Sequence, residues 1–342
     1  MSLGDEWRSR DRRRTVVSVA AAWVLGVAIV ADIATGPAML PVGSVMAGLF
    51  GTTDDPLLLA IVGHIRLPIA LMAVAVGAAL GVSGATMQTI LRNPLASSYT
   101  LGISAGAGFG AALAILVGEA LPLPQTWAVP IAAFAFAALT CLLVAAVGRL
   151  RDATPELLIL AGIACLFLFQ ALQSLLQFLA SPEALQQIVF WLFGSLQQAT
   201  LPKVGIVAAV LALVLPLLLR DAWRFTALHL GDDRARGLGI DVRALRLRAF
   251  LAVSLLTGAA VAFVGTIGFI GLVAPHIARL LVGEDQRHLL VASALFGALL
   301  LSSASVASKL LIPGTVFPIG IVTALIGVPF FFWLVLAGGR RR

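Results

Sequence analysis

Apolar runs long enough to cross a lipid bilayer alternate with short polar corners along nearly the whole chain. A spanning helix needs about 20 mostly apolar residues. Stretches of this kind fall at 15–34, 67–90, 97–118, 128–148, 156–179, 203–220, 248–265, 268–283, 288–306 and 317–337. The expected fold is all-α, a polytopic membrane protein of about ten transmembrane helices forming a single transmembrane domain over 1–342, with no soluble domain inserted. Arg66–Gly106 shows the pattern most plainly, because two apolar segments flank one polar corner, Arg92-Asn93-Pro94.

Composition agrees with the pattern. Of the 342 residues, 60% are hydrophobic and 11% charged, against about 25% charged in soluble domains, so most of the surface must face lipid. The net charge of +7 would suit a nucleic-acid partner, but the basic residues lie in corners between apolar runs, where they signal topology. Alternating from an inside N-terminus places twenty of the 23 basic residues inside: Arg8 to Arg14, Arg92, Arg149, Arg151, the 220–248 stretch, Arg279, Arg287 and Arg340–Arg342. Only Arg66, Lys203 and Lys309 fall outside, beside Asp54, Asp55, Glu119, Glu183 and several prolines such as Pro122. Both termini are therefore expected inside. A cleaved signal peptide is not expected, because Val16–Ile33 is long enough to span and no clear small-residue cleavage site follows.

Three features could carry chemistry. The longest inside segment, 224–248, sets Gly231, Gly237 and Gly239 between two short helical pieces, with Asp232 and Asp233 placed to cap the second piece. It is either a knob for a cytoplasmic partner or a charged loop that only sets topology. In the fifth span, Gln170, Gln173, Ser174 and Gln177 fall at i, i+3, i+4 and i+7, one face of a helix. Amides facing lipid cost several kcal/mol each, so this face meets a watery path or another helix. Gly77, Gly81 and Gly84, then Gly102, Gly106 and Gly110, allow close approach of helices and say nothing of cargo.

Other chemistries lack their residues. Cys141 and Cys165 lie in apolar runs, and the four histidines have no metal-ligand spacing. There is no Walker A sequence, and no nucleophile–base or His-Glu-x-x-His arrangement lies within the spans. No span centre carries an acidic residue; Asp32 ends the first span, and His276 follows Pro275 in the eighth. That weakens an ion-coupled secondary carrier working without an ATPase, which remains the competing class.

The chain resembles the FecCD-type family, the iron-chelate and vitamin B12 permeases of type II ATP-binding-cassette importers. The resemblance rests on Arg66-Leu67-Pro68, Gly77 to Leu80 with Ser83-Gly84 and Gln88, Arg92 to Ala96, and Leu101-Gly102. It continues through Trp191 with Gly194-Ser195, Gly265 to Arg279, and Pro318-Ile319-Gly320 with Thr323-Ala324 and Gly327.

The resemblance implies a ten-span permease subunit that is not itself an enzyme. Its partners would be a second permease subunit, with one chain suggesting a homodimer although related importers also use two different permeases, two cytoplasmic ABC ATPase subunits and a periplasmic substrate-binding protein. No nucleic acid is implied. This chain would bind no cofactor, with ATP and Mg held by the ATPase, and it would sit in the bacterial inner membrane. Leu230, Gly231, Asp232, Asp233, Arg236, Gly237 and Gly239 would couple to the ATPase. Asn93 and Leu95, with Thr154 and Pro155, would form the cytoplasmic gate, and the Gln170–Gln177 stripe would line the path. Arg66 and Lys309 would dock the binding protein, with interfacial snorkelling as the plainer alternative. The family often has arginine where this chain has Ile69 and glutamate where it has Val316, which leaves fewer charges for docking. The implied cargo is a metal chelate: ferric siderophore first, haem second, cobalamin third.

Overall fold

The computed structural model describes residues 3–118, 123–150, 153–312 and 315–338. Glu119, Pro122, Arg151 and Arg340–Arg342 lie outside the described residues. Every regular element described is helical. The elements are Leu3–Ala34 (α1), Val42–Phe50 (α2), Pro56–Ala60 (α3), Leu67–Ile90 (α4), Ile103–Val117 (α5), Gln125–Leu150 (α6), Pro155–Leu179 (α7) and Pro182–Leu192 (α8). They continue as Leu201–Arg220 (α9), Ala222–Leu228 (α10), Asp232–Gly237 (α11), Val242–Val264 (α12), Ile270–Val282 (α13), Gln286–Leu310 (α14) and Ile319–Gly338 (α15). A π-helical stretch, Ile61–Arg66, joins α3 to α4 without a break.

Each expected span corresponds to a helix, but not every helix is long enough to cross. Seven are: Asp11–Ala34 within α1, the continuous Pro56–Ile90, and α6, α7, α9, α12 and α14. The apolar stretches Ile103–Val117, Ile270–Val282 and Ile319–Phe332 are shorter. At about 1.5 Å per residue α5 and α13 fall short of a hydrocarbon core about 30 Å thick, whereas α15 continues past Phe332 to Gly338, 20 residues in all.

Two span boundaries differ from the sequence expectation for local reasons. The third does not begin at residue 97, because Ser97 and Thr100 bond each other's backbone in a turn and Gly102 takes φ 76°. The seventh begins at Val242, inside the stretch expected to be a polar loop, because Asp241 caps it by accepting from the Ala244 N–H at 2.9 Å. Three helices were not expected at all, α2, the Asp55-capped α3 and the Ser181-capped α8.

The fold is arranged around α4, in which every residue but Leu67, Leu71 and Val74 is buried. It packs against α14, α12, α13 and α9. The α4–α14 seam consists of glycine against backbone: a Cβ at Gly77 would strike the Gly297 carbonyl, one at Gly81 the Ser293 carbonyl, and one at Gly84 the Gly271 carbonyl of α13. A second layer forms where α5 lies on α6 and α7, with Gly106 and Gly110 against α6. Only Pro155, Leu158, Gly162, Cys165 and Phe169 of α7 are buried, so most of that helix faces away from the chain.

Candidate coupling site

The C-terminal end of α4 closes in a Schellman turn. Arg92 donates its N–H to the Thr89 carbonyl at 3.2 Å and Asn93 to Gln88 at 3.1 Å, with Arg92 at φ 46°. A side chain in that left-handed region costs about 1 kcal/mol. The Asn93 carboxamide oxygen then accepts from the Leu95 N–H at 2.9 Å, closing a turn across Pro94. The turn occupies the carbonyls of Met87, Gln88 and Thr89 and leaves Ile90 free. Arg246 fills that vacancy, donating Nε–H to the Ile90 carbonyl at 2.9 Å.

Arg246 is 1% exposed, and its remaining donors grip Asp232 at 2.7 and 2.8 Å. The same carboxylate lies 3.7 Å from the Arg92 guanidinium. Asp232 therefore ties α11 to α12 and to the Arg92-Asn93-Pro94 corner together. Burial alone would raise its pKa, but the Arg246 hydrogen bond and charge, with the charges of Arg92 and Arg236, outweigh burial and hold it below the usual carboxylate range. The capping expectation holds in part: Asp232 and Asp233 lie in the first turn of α11, where they favour its dipole, but the cap residue is Gly231, φ 99°, with no side-chain cap hydrogen bond, and Asp233 pairs with Arg236 at 3.0 Å on the surface.

One turn earlier on α12, Arg243 donates to the Arg149 carbonyl in the last turn of α6. The segment after α6 leads to Thr154, which caps α7 by accepting from Leu157 N–H at 3.3 Å, and to the buried Pro155. Neighbouring arginines on α12 thus hold the helix ends before both expected gate segments. Carbonyls at helix C-termini carry partial negative charge, which favours this pairing.

A third tie enters from α14. Gln286, fully buried, donates its N–H to the Thr226 hydroxyl of α10 at 3.2 Å and its side-chain amide to the Thr89 hydroxyl at 2.9 Å. Arg279 of α13 donates to the Gln88 amide oxygen at 2.9 Å and to Glu284 at 3.0 Å. Outside these ties α11 presents an exposed surface: Leu230 is 54% and Leu238 53% exposed. A Cβ at Gly237 or Gly239 would meet nothing within 4 Å.

Sequence reasoning found Asp232 and the corner but not Arg243, Arg246 or Gln286. The signal for Arg246 was present, since it falls on the same helical face as Val242, Ala249 and Val253, all buried. An arginine on an apolar stripe needs internal partners.

At the far end of α12 three irregular segments meet. Gly265, φ 75°, ends the helix, and the backbone stays non-helical to Phe269. Ser195 N–H donates to the Val264 carbonyl at 2.7 Å, Ile319 N–H to Gly194 at 3.1 Å and Gly320 N–H to Phe193 at 3.0 Å. A Cβ at Gly265 would strike the Trp191 carbonyl and one at Gly320 the Phe193 carbonyl. Non-helical backbone at membrane depth survives only where protein satisfies it, which explains why glycines from three distant stretches converge here.

The FecCD transport family model matches residues 24–337. The chain belongs to the FecCD transport family. It is 39% identical to the hemin transport permease HmuU of Yersinia pestis, over 80% of this chain and 82% of that one. It is 37% identical to the vitamin B12 import permease BtuC of Vibrio parahaemolyticus, over 81% and 83%. It is 35% identical to the iron(3+)-hydroxamate import permease FhuB of Bacillus subtilis, over 96% and 85%. A solved metal-chelate-type ABC transporter in an inward-facing conformation superposes with a TM-score of 0.84 at 31% identity, covering 94% of this chain and 99% of that one. The protein is accordingly a multi-pass membrane permease of the ABC importer class and not an enzyme.

The basic residues expected on the outside are turned into the permease. Arg66 is 7% exposed and donates to the carbonyls of Ile33 and Ala34 at 2.8 and 2.9 Å and to that of Ala38. Lys309 donates to the Asp32 carboxylate at 2.7 Å and the Asp32 carbonyl at 2.9 Å, and Asp32 is fully buried. Both cations thus secure the C-terminal end of α1. Lys203 is also buried, on the Gln198 carbonyl at 3.0 Å.

The amide stripe of α7 divides. Gln173 leans over Gly108 of α5 and Gln177 is half-buried, while Gln170 and Ser174 are exposed on the side of α7 that no element of this chain covers.

Proposed function

We propose that this chain is a ten-crossing permease subunit that works as a homodimer and carries a metal chelate into the cytoplasm. Two cytoplasmic ATPase subunits, holding ATP and Mg, drive it, and a periplasmic binding protein delivers the cargo across the outer face of a bacterial inner membrane. One observation carries this reading: the Arg246–Asp232 clamp joins the exposed α11 to the end of α4 and the Arg92-Asn93-Pro94 corner. A push on Leu230, Gly237 and Gly239 reaches Asn93 and Leu95 through a buried ion pair, and reaches Thr154 and Pro155 through Arg243.

The helices α5, α13 and α15 complete the ten crossings, the ends of the shorter α5 and α13 extended by irregular backbone that neighbouring helices satisfy. Gln170 and Ser174, exposed on a single chain, face the second copy across the path. Arg66 and Lys309 serve docking by fixing the outer end of α1 and the segment after it, which the binding protein meets. The cargo order is ferric siderophore, haem, then cobalamin, in keeping with the hydroxamate, hemin and vitamin B12 relatives.

Proteoliposome uptake tests the class. Transport of a ferric siderophore should require the ATPase, the binding protein and ATP together; uptake by the permease alone under an ion gradient would overturn the reading. A Gly237→Trp substitution should leave folding intact, because that surface is open, and should abolish ATPase capture. Normal assembly and transport in G237W would remove α11 as the docking knob.

A further inference from the structure

Between the cytoplasmic ends of α9 and α12 lies a groove of about 510 Å³ that the coupling ties do not use. Leu213 and Leu217 of α9 form one wall, and Leu251 and Leu255 of α12 form the other. Leu213 is 62% and Leu217 54% exposed, so the wall opens away from the chain. Both helices are long and apolar enough to span, which puts these walls at membrane depth.

The lip of the groove has the opposite chemistry. Arg220, Arg224 and Arg248 ring it with one carboxylate, Asp221. Asp221 pairs with Arg224 and lies 3.8 Å from Arg248. Arg220 has no ion pair among the described residues. Three guanidinium groups against one carboxylate leave a net positive lip at the end of an apolar slot. Trp223 stands beside it, 59% exposed, and exposed tryptophan marks the membrane–water interface. The basic residues place this end on the cytoplasmic side.

An apolar slot that ends in a positive lip at the interface complements an amphiphile with a negative head. We propose that this groove binds one anionic phospholipid of the cytoplasmic leaflet, its phosphate under Arg220, Arg224 and Arg248 and an acyl chain along the two leucine walls. Basic pockets between helices on the cytoplasmic side are suited to such headgroups. The site lies where α9 turns through Asp221 into α10, so an occupied groove braces the root of the cytoplasmic segment. It depends on neither the cargo nor the ATPase partner.

Native mass spectrometry of the full-length permease tests this, with phosphatidylglycerol, phosphatidylcholine of matched chains, or inorganic phosphate added. Phosphatidylglycerol should be retained selectively, and inorganic phosphate should not displace it. Each basic residue near an anionic surface is worth a factor of about five, so R220Q should weaken retention about fivefold and R220Q/R248Q more. Arg220 has no ion pair to lose, which makes R220Q the variant that folds even if the double does not. A252W fills the slot, leaves the arginines in place, and should also expel the lipid. R12Q/R13Q, which removes exposed charge elsewhere on the same side, should change nothing.

Unchanged retention in R220Q and A252W would overturn the site. So would an equal loss in R12Q/R13Q, which would indicate diffuse attraction, or displacement by inorganic phosphate, which would indicate a simple anion site. A disulfide between two L213C copies would assign the groove to a subunit interface and overturn it as well.

Discussion

Arg246 reaches across from α12 to donate to the Ile90 carbonyl at 2.9 Å, the carbonyl that the closing turn of α4 leaves unused. Because the same guanidinium grips Asp232, the last carbonyl of the central helix and the first turn of α11 share one buried cation. Neither the turn nor the ion pair could shift alone without leaving a buried group unpaired.

Removing half of a buried pair strands the other half, at a cost of about 3–5 kcal/mol. Arg246→Met should therefore destabilise the permease by that order and uncouple transport from ATP hydrolysis. Asp232→Asn should cost less, because Asp232 retains some exposure. The double variant should recover part of the loss, read as a coupling energy in a double-mutant cycle of thermal unfolding. Strict additivity would show that the pair is not a unit.

The depressed pKa of Asp232 fixes the sign of a pH effect. A carboxyl lowered by folding adds stability that is complete above its unfolded value of about 3.9 and is lost as pH falls through the folded value. Amide exchange protection of α11 should thus be flat from about pH 5 to 8 and fall only in stronger acid. D232N should lack that acid-side fall; a step near neutrality in the wild type would point to another group.

Asp32 and Lys309 make a second buried pair, at the C-terminal end of α1. Lys309→Met should destabilise by about 3–5 kcal/mol, and D32N added to it should restore most of the loss. Should K309M/D32N fold normally and still fail to dock the binding protein, Lys309 acts on docking directly; recovery of both together would make it a structural anchor.

The glycine seam gives a sharper steric test. Gly81→Val would drive a side chain into the Ser293 carbonyl, and backbone cannot yield as a flexible side chain can. Overpacking of this kind costs about 1–3 kcal/mol, and more where nothing gives. Gly237→Ala, which meets nothing, should be neutral or slightly stabilising by thermal unfolding. Equal tolerance at both positions would contradict the α4–α14 contact.

The sequence by itself determined the class of solvent, the order and approximate bounds of the apolar helices, and the polar corner at Arg92. These follow from local quantities: run length and helical period. It could not tell that α5 and α13 are too short to cross as helices, because apolar irregular backbone reads like apolar helix until its partners are known. Nor could it decide what the charges do. Arg66 and Lys309 looked like an outer rim and are instead buried on the end of α1, whereas Arg246 looked like one more topology charge and holds the central clamp. A charge is assigned to surface or interior by which carbonyls and carboxylates come within about 3 Å of it, and those partners lie far away in sequence, so only the tertiary structure could supply them.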